Sequence, residues 1–325
     1  MEATDNRSDI STYILGGWDL AICAALFFQG ILWTQFIRYM TANKRDSVLL
    51  KLFVAGLALL TTLKTIQAIS MLWILNDAIV NNPESDLWQT HWLFHTAVIS
   101  TAIIAFYVQT FFCCRLWAIS RNLCLTIVTM ALFIVALAAA AVATSLTYSD
   151  TPLKSIDWIA AHLGTAMCGD LLLTGGTVFW LLRHSNVVLP RGQTARMLDS
   201  LLRLTIQSAA PAAACAFVNF GAAMVLNITG DQVRVELMLS EISNMILPKL
   251  YAISAMWILN SRDDIRAALE HGPTIHTLDF GAAMADRASV TETGTQSAGS
   301  QLGVPVPFVE DEKLQTLERS KICVV

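Results

Sequence analysis

Five polar residues lie inside long apolar runs of the sequence, where charged side chains are rare. They are Lys64, Asp170, Glu241, Asn244 and Lys249. Lys64, Asp170 and Lys249 each lie twelve or thirteen residues from the polar residues that flank their runs, which is about 18–20 Å along a helix. A charge at that depth of a bilayer costs roughly 2.5–3.5 kcal/mol. We therefore expect these side chains to face the inside of a helix bundle and to share one polar network there.

The helical spacing around these residues predicts polar faces that point inward. One face carries His162, Thr165, Gly169, Asp170 and Thr177, and another carries Glu241, Asn244, Pro248 and Lys249. Two lysines and two carboxylates sum to zero charge, so they are able to pair, although the sequence does not assign the pairs. Pro248 also removes the helical hydrogen bond to the Asn244 carbonyl, which leaves an acceptor beside Lys249. Such a network either fixes helix packing or serves a ligand, an ion or a signal, and the sequence weighs the two interpretations equally.

Histidines and cysteines give weaker indications of chemistry. His95 and His162 fall near the predicted outer ends of their segments and could line an outer vestibule, but a single membrane histidine more often packs between helices. The seven cysteines form no C-x-x-C pair, and neither an H-E-x-x-H motif nor a G-x-S-x-G motif is present. We expect no bound metal, no cofactor and no enzymatic activity.

The apolar runs that hold these residues are long enough to cross a bilayer. The chain has 325 residues, of which 55% are hydrophobic and only 14% are charged, whereas a soluble domain carries roughly a quarter charged residues. About 20 apolar residues cross the hydrocarbon core as a helix. Runs of that length are 18–40, 48–75, 92–117, 123–147, 158–183, 198–226 and 236–260. Because strand-like alternation is absent, we predict an all-α membrane protein, a bundle of seven transmembrane helices.

Lysines and arginines predict the direction of this bundle. Eleven of them near the span ends fall on one side and three on the other, which predicts that the first side is cytosolic. The N-terminus is then outside and the C-terminus is in the cytosol. The two N-x-[ST] sequons, at Asn6 and Asn227, both fall on the outer side. Asn6 is the better candidate for glycosylation, because Asn227 lies close to the predicted bilayer surface.

The segments around the bundle complete the predicted organisation. It consists of a short external N-terminal segment (1–17), the transmembrane domain (18–260), a short amphipathic juxtamembrane helix (261–272) and a disordered cytosolic tail (273–325). A capping box that begins at Ser261 predicts the start of the juxtamembrane helix, and Gly272-Pro273 predicts its end. The tail is rich in Ser, Thr and Gly, a composition typical of disorder.

Three short stretches of the chain carry a family resemblance. They are Gly30, Gln35 and Tyr39 with Asp46-Ser47, Lys51 and Val54; Val108–Phe112 with Arg115-Leu116-Trp117 and Ser120; and Lys249-Leu250-Tyr251 with Ser254 and Leu259–Arg262. In this order and spacing they resemble a family of fungal seven-helix membrane proteins, domain of unknown function 6534, over roughly residues 16–265. The chain departs from that pattern at Ile253, where Asn is usual, and in the 185–196 loop. The resemblance implies a membrane location and seven helices, and it implies no known activity.

Three functional classes are compatible with these features. The favoured hypothesis is a receptor-like sensor that has an unknown small ligand or a cytosolic effector as partner, although the N-P-x-x-Y motif is absent from the seventh span. The alternative is a small-molecule or ion/proton transporter, which midplane charges and proline-interrupted helices favour. A remote alternative is a retinal-binding protein with Lys249 as the Schiff-base lysine and Asp170 as its counter-ion.

The partners and location follow from the same composition. The net charge of −4 gives no reason to expect a nucleic-acid partner. We expect a multi-pass protein of the lipid bilayer, in the plasma membrane or a membrane of the secretory pathway.

Overall fold

The computed structural model describes residues 2–41, 46–81, 92–149, 152–188, 211–225 and 234–270. Apart from a few residues between helices, these ranges are helical, and they contain no strand. The helices are α1 (Glu2–Thr41), α2 (Val48–Asn81), α3 (Ala97–Ser120), α4 (Leu123–Tyr148), α5 (Pro152–Val188), α6 (Pro211–Val225) and α7 (Arg234–Glu270). One helical turn, Trp92–His95, precedes α3. The all-α prediction is confirmed for the part of the chain that is described.

Six helical stretches are long and apolar enough to cross a membrane. They are Gly16–Thr41, Val48–Asp77, Trp92–Ser120, Leu123–Tyr148, Ser155–Arg183 and Met238–Ser261. The helix α6 is apolar but shorter, and residues 198–210 of the predicted sixth span lie outside the described ranges. The helices therefore indicate a multi-pass membrane protein, while the count of seven spans and their direction stay predictions.

The ends of the bundle differ in part from the predicted organisation. The helices lie in one compact unit, Met1–Ile265, and a second unit, Arg266–Val325, is helical over its described residues 266–270. The helix α1 already begins at Glu2, so the N-terminal segment is helical. The predicted tail, 273–325, lies outside the described residues.

The separate juxtamembrane helix predicted at 261–272 is not observed, because α7 runs without a break to Glu270. The Ser261 hydroxyl donates to the Trp257 carbonyl oxygen at 2.8 Å, a bond that serine makes within a helix rather than at its start. The capping-box pattern therefore lies inside α7.

A two-residue turn connects α3 to α4. Arg121 follows Ser120 with φ 52°, in the left-handed region, and its backbone N–H donates to the Trp117 carbonyl oxygen at 2.9 Å. The Asn122 side chain then caps α4, because its Oδ1 accepts hydrogen bonds from the backbone N–H of Cys124 and Leu125 at 3.1 and 3.4 Å. This turn fixes α3 and α4 as sequential neighbours.

The helix α7 is the most buried of the six membrane-length stretches. In its most apolar segment 67% of residues are buried, against 28–44% in the other five. Side chains such as Phe27, Leu59 and Phe217 are instead exposed on outer helices, as lipid-facing residues are. The bundle therefore packs around α7, and polar groups on α7 lie inside it.

Small residues bring α4 and α5 close together. Ala136, Ala139, Ala140 and Ala143 are buried on α4, and Gly169 of α5 lies against the buried ring of Phe133. Without bulky side chains at the contact, two membrane helices approach closely and gain van der Waals contact. This interface holds α5, and with it Asp170, in a fixed position.

Candidate functional site

The helix α7 carries buried polar side chains on two opposite faces. Lys249 and Tyr251 are 1% and 6% exposed, and two residues correspond to about 200° around a helix. The Lys249 side chain bonds to α1 and α2, whereas Tyr251 bonds to Asp170 on α5. The two side chains therefore belong to two polar clusters on either side of α7.

The first, the Lys249 cluster, consists of Lys249, Gln29, Thr61 and Thr65. The Lys249 Nζ donates to Gln29 Oε1 at 2.7 Å, to the Thr61 carbonyl oxygen at 2.6 Å and to Thr65 Oγ1 at 2.6 Å. An ammonium has three N–H donors, so neutral acceptors satisfy all of them. None of the groups that accept a hydrogen bond from Lys249 is a carboxylate, so the positive charge of its ammonium is not paired with a negative charge within this cluster.

Lys64 reaches a different part of the bundle, where α2 meets the start of α3. Its Nζ donates to the Ala97 carbonyl oxygen at 3.0 Å, to Ser100 Oγ at 2.9 Å and to Gln67 Oε1 at 3.4 Å. Gln67 also donates to the Leu93 carbonyl oxygen at 3.0 Å. These bonds tie α2 to the short break between the Trp92–His95 turn and α3.

Glu241 of α7 is linked to Lys64 by charge rather than by a hydrogen bond. The carboxylate of Glu241 and the ammonium of Lys64 attract each other, and Lys249 and Lys64 repel each other. Lys64, Glu241 and Lys249 therefore form one electrostatic group between α2 and α7.

The second, the Asp170 cluster, consists of Asp170, Gln109 and Tyr251. Gln109 Nε2 donates to Asp170 Oδ1 at 3.0 Å, and the Tyr251 hydroxyl donates to Oδ2. All three side chains are buried. Because the two donors come from α3 and α7, Asp170 connects three helices near the middle of the bundle.

A cavity lies against the Asp170 cluster, between α3, α5, α6 and α7. Its volume is about 50 Å³, several times the 10–15 Å³ or so needed to hold one water molecule. Its polar lining consists of Arg115, Asp170, Thr174, Thr177, Tyr251 and Ser254. A basic and an acidic side chain therefore line the same cavity.

The structure only partly brings together the residues predicted to share one network. Lys64, Asp170 and Lys249 are all buried, which agrees with the prediction that they face inward. The hydrogen bonds of Asp170, however, go to Gln109 and Tyr251, not to a lysine. The described residues therefore show no hydrogen bond between Asp170 and a lysine, because neutral groups are the partners of Asp170 and Lys249.

Asn244 and Asn6 are the remaining polar predictions. Asn244 is partly buried, and the described part of the chain gives its side chain no hydrogen-bond partner. Asn6 lies in α1, and its glycosylation stays a prediction.

The two histidines make separate packing contacts with α4. His162 is buried and its Nδ1 lies 2.8 Å from the Ala136 carbonyl oxygen. The His95 ring packs at a tilt on Tyr148, with 4.9 Å between the ring centroids. These contacts match the interpretation of the histidines as packing residues, and a shared outer vestibule stays a prediction.

Several residues of the two clusters were not singled out from the sequence as site residues. They are Gln29, Thr61, Thr65, Gln109 and Tyr251. Gln109 and Tyr251 do stand in the stretches that carry the family resemblance. Arg115, one of the eleven basic residues on the predicted cytosolic side, is 8% exposed and lines the cavity.

Taken together, the six helices of the described ranges that are long and apolar enough to cross a membrane indicate an all-α, multi-pass membrane protein. Residues 166–264 match the model of a family of unknown function (DUF6534). That segment contains Asp170 and Tyr251, and it lies within the region over which the sequence resembles this family. Comparison with curated proteins and with solved structures finds no match to the chain.

Proposed function

We propose that the protein is a receptor-like membrane sensor, in which a small ligand in the cavity beside Asp170 changes the position of α7. The observation that carries this proposal is the place of α7 between two polar clusters. Tyr251 contacts the cavity on one face of the helix, and Lys249 bonds to α1 and α2 on the other.

The coupling follows from the rigidity of a helix. A ligand that displaces or rotates α7 at Tyr251 also moves Lys249, which lies only two residues away. The short hydrogen-bonded arrangement around Lys249 has little freedom to stretch, so the movement reaches α1 and α2. Two alternative packings of α7 would then correspond to ligand-free and ligand-bound states.

The test uses the full chain, purified in lipid nanodiscs. Its thermal unfolding midpoint is measured against a panel of amino acids, carboxylic acids, amines, sugars and inorganic ions. Ala213→Leu fills the cavity, which Ala213 lines, while Ala214→Leu adds the same volume on the exposed neighbouring position of α6. We expect at least one compound to raise the midpoint, an effect that Ala213→Leu abolishes and Ala214→Leu preserves.

A transporter is the second candidate, favoured by Pro248 inside α7 beside a buried lysine. Interrupted helices next to buried charges are common at transport sites. The same compounds are therefore tested for uptake into proteoliposomes. Binding without uptake supports the sensor proposal. Uptake that Ala213→Leu blocks would instead show that the protein is a transporter. If Ala213→Leu leaves every ligand effect unchanged, the cavity is not the site and the proposal fails.

A further inference from the structure

The cavity beside Asp170 is lined by side chains of opposite charge. Gln109 bonds to Asp170, and Arg115 lies six residues further along α3, which is about 9 Å along the helix axis. On α7, Tyr251 and Ile258 span a similar length, about 10 Å, and both line the cavity. One cavity is therefore lined by the carboxylate of Asp170 and by Arg115, which lies further along the bundle.

The carboxylate end retains capacity to bind a cation. A carboxylate offers about four acceptor sites, and the hydrogen bonds from Gln109 and Tyr251 use one on each oxygen. At the other end, a guanidinium carries five N–H donors in a planar fork that matches a ligand carboxylate. Both side chains are at least nine-tenths buried, so their attraction for a ligand charge is weakly screened.

We infer that the cavity binds a small aliphatic α-amino acid, with the ammonium group at Asp170 and the carboxylate at Arg115. This inference rests on the proposed function and names the ligand class of the same site. Two charge-assisted hydrogen bonds of about 2.8 Å and a separation of roughly 3 Å between the ligand's charged groups add up to about 9 Å. That sum is similar to the rise of about 9 Å along α3 from Gln109, which bonds to Asp170, to Arg115.

The rest of the lining suits an aliphatic side chain. Leu173, Ala212, Ala213 and Ile258 supply apolar walls, and no further charged side chain lines the described cavity. A ligand with a third charge would leave that charge without a partner, which is costly in a buried site. The small volume, about 50 Å³, restricts the side chain to a few carbons.

The test measures binding to the full chain in phosphatidylcholine nanodiscs by calorimetry and by the thermal unfolding midpoint. The probes are L-alanine and L-valine, with propionate and ethylamine as analogues that carry only one of the two charges. We expect L-alanine or L-valine to bind at least about tenfold more tightly than either analogue, because a buried charge left unpaired weakens binding. Propionate binding as tightly as L-alanine would overturn the inference and leave a simple anion site.

Substitutions then test the two ends. Arg115→Gln should weaken L-valine binding at least about tenfold, whereas Arg183→Gln, on an exposed arginine packed over Trp180, should leave it unchanged. Asp170→Asn should likewise weaken L-valine binding, whereas Asp19→Asn should leave it unchanged, because Asp19 does not line the cavity. Should Asp170→Asn fail to fold, Ala213→Leu replaces it, and this variant should also abolish binding. Equal affinity in the variant and control of either pair overturns the inference.

The outcomes separate this inference from the proposed function. Binding of L-valine through Arg115 together with uptake into proteoliposomes supports the ligand and overturns the sensor. If no amino acid binds, but another compound raises the thermal unfolding midpoint and Ala213→Leu abolishes this effect, the sensor proposal is supported and the inference of an amino-acid ligand is overturned.

Discussion

The two buried lysines are stabilised in different ways. Lys249 donates only to neutral acceptors, whereas Lys64 combines neutral acceptors with the negative charge of Glu241. Removing a neutral partner costs a hydrogen bond, but removing a charged partner leaves an uncompensated charge, which costs more. The two lysines should therefore respond differently to the loss of a nearby carboxylate.

A pair of double-mutant cycles tests this difference. Lys64→Met and Glu241→Gln should show a coupling energy of about 1 kcal/mol or more, because each side chain stabilises the charge of the other. Lys249→Met and Asp170→Asn should be additive within about 0.5 kcal/mol, because they share no hydrogen-bond partner. The measurement is the free energy of unfolding in mixed detergent–lipid micelles. Strong coupling in the second cycle would show that Lys249 and Asp170 interact after all.

The sequence predicted the buried charges but not their partners. Asp170 and Lys249 stand out because charges in apolar runs are rare and costly. Gln29 and Thr65 are neutral residues of kinds common in membrane helices, and their role depends on how α1 and α2 are rotated toward α7. Arg115 could not be assigned because an arginine near the inner end of a span satisfies the positive-inside rule whether or not it also lines a cavity.

Two glycines of α5 provide a matched test of helix packing. A Cβ at Gly169 would overlap the buried ring of Phe133, 2.9 Å from its Cδ1, while a Cβ at Gly175 would meet no atom within 4 Å. Gly169→Ala should therefore lower the free energy of unfolding by about 1–3 kcal/mol. Gly175→Ala should leave it unchanged or raise it by up to about 1 kcal/mol, because alanine favours the helix.

Both glycine variants are compared with the unsubstituted protein by equilibrium unfolding in micelles. An equal effect at the two positions would indicate that α4 and α5 pack less closely than described. The matched pair separates packing from intrinsic helix propensity, since both residues lie inside the same helix.

At the scale of helices, the lengths of the apolar runs predicted the bounds of the membrane-length helices well. The capping pattern at Ser261, by contrast, predicted a helix start that is not observed. Five predicted spans agree with membrane-length stretches to within a few residues, and 236–260 agrees with Met238–Ser261. The pattern at Ser261 failed because the same residue types also occur inside helices, where serine donates to a carbonyl oxygen of the preceding turn instead of capping. That choice is decided by the chain on both sides, which continues as α7.

At the scale of the whole molecule, an odd number of spans places the two ends of the chain on opposite sides. We expect seven spans, with the N-terminus outside and the C-terminus in the cytosol, because basic residues are in excess on one side and because α6 is apolar. An N-terminal tag should bind antibody in intact cells, and a C-terminal tag only after permeabilisation. If both tags bind on the same side, α6 does not cross and the structure has six spans.

The turn at Arg121 and Asn122 also has a consequence for biosynthesis. Only these two residues separate the end of α3 from the start of α4, so no soluble loop emerges from the ribosome between them. We expect the translocon to receive α3 and α4 as a preformed helical hairpin and to release both into lipid in one event. Ribosome-bound chains in which α3 has left the ribosome while α4 is still inside it should therefore leave α3 uninserted, until α4 emerges and completes the hairpin.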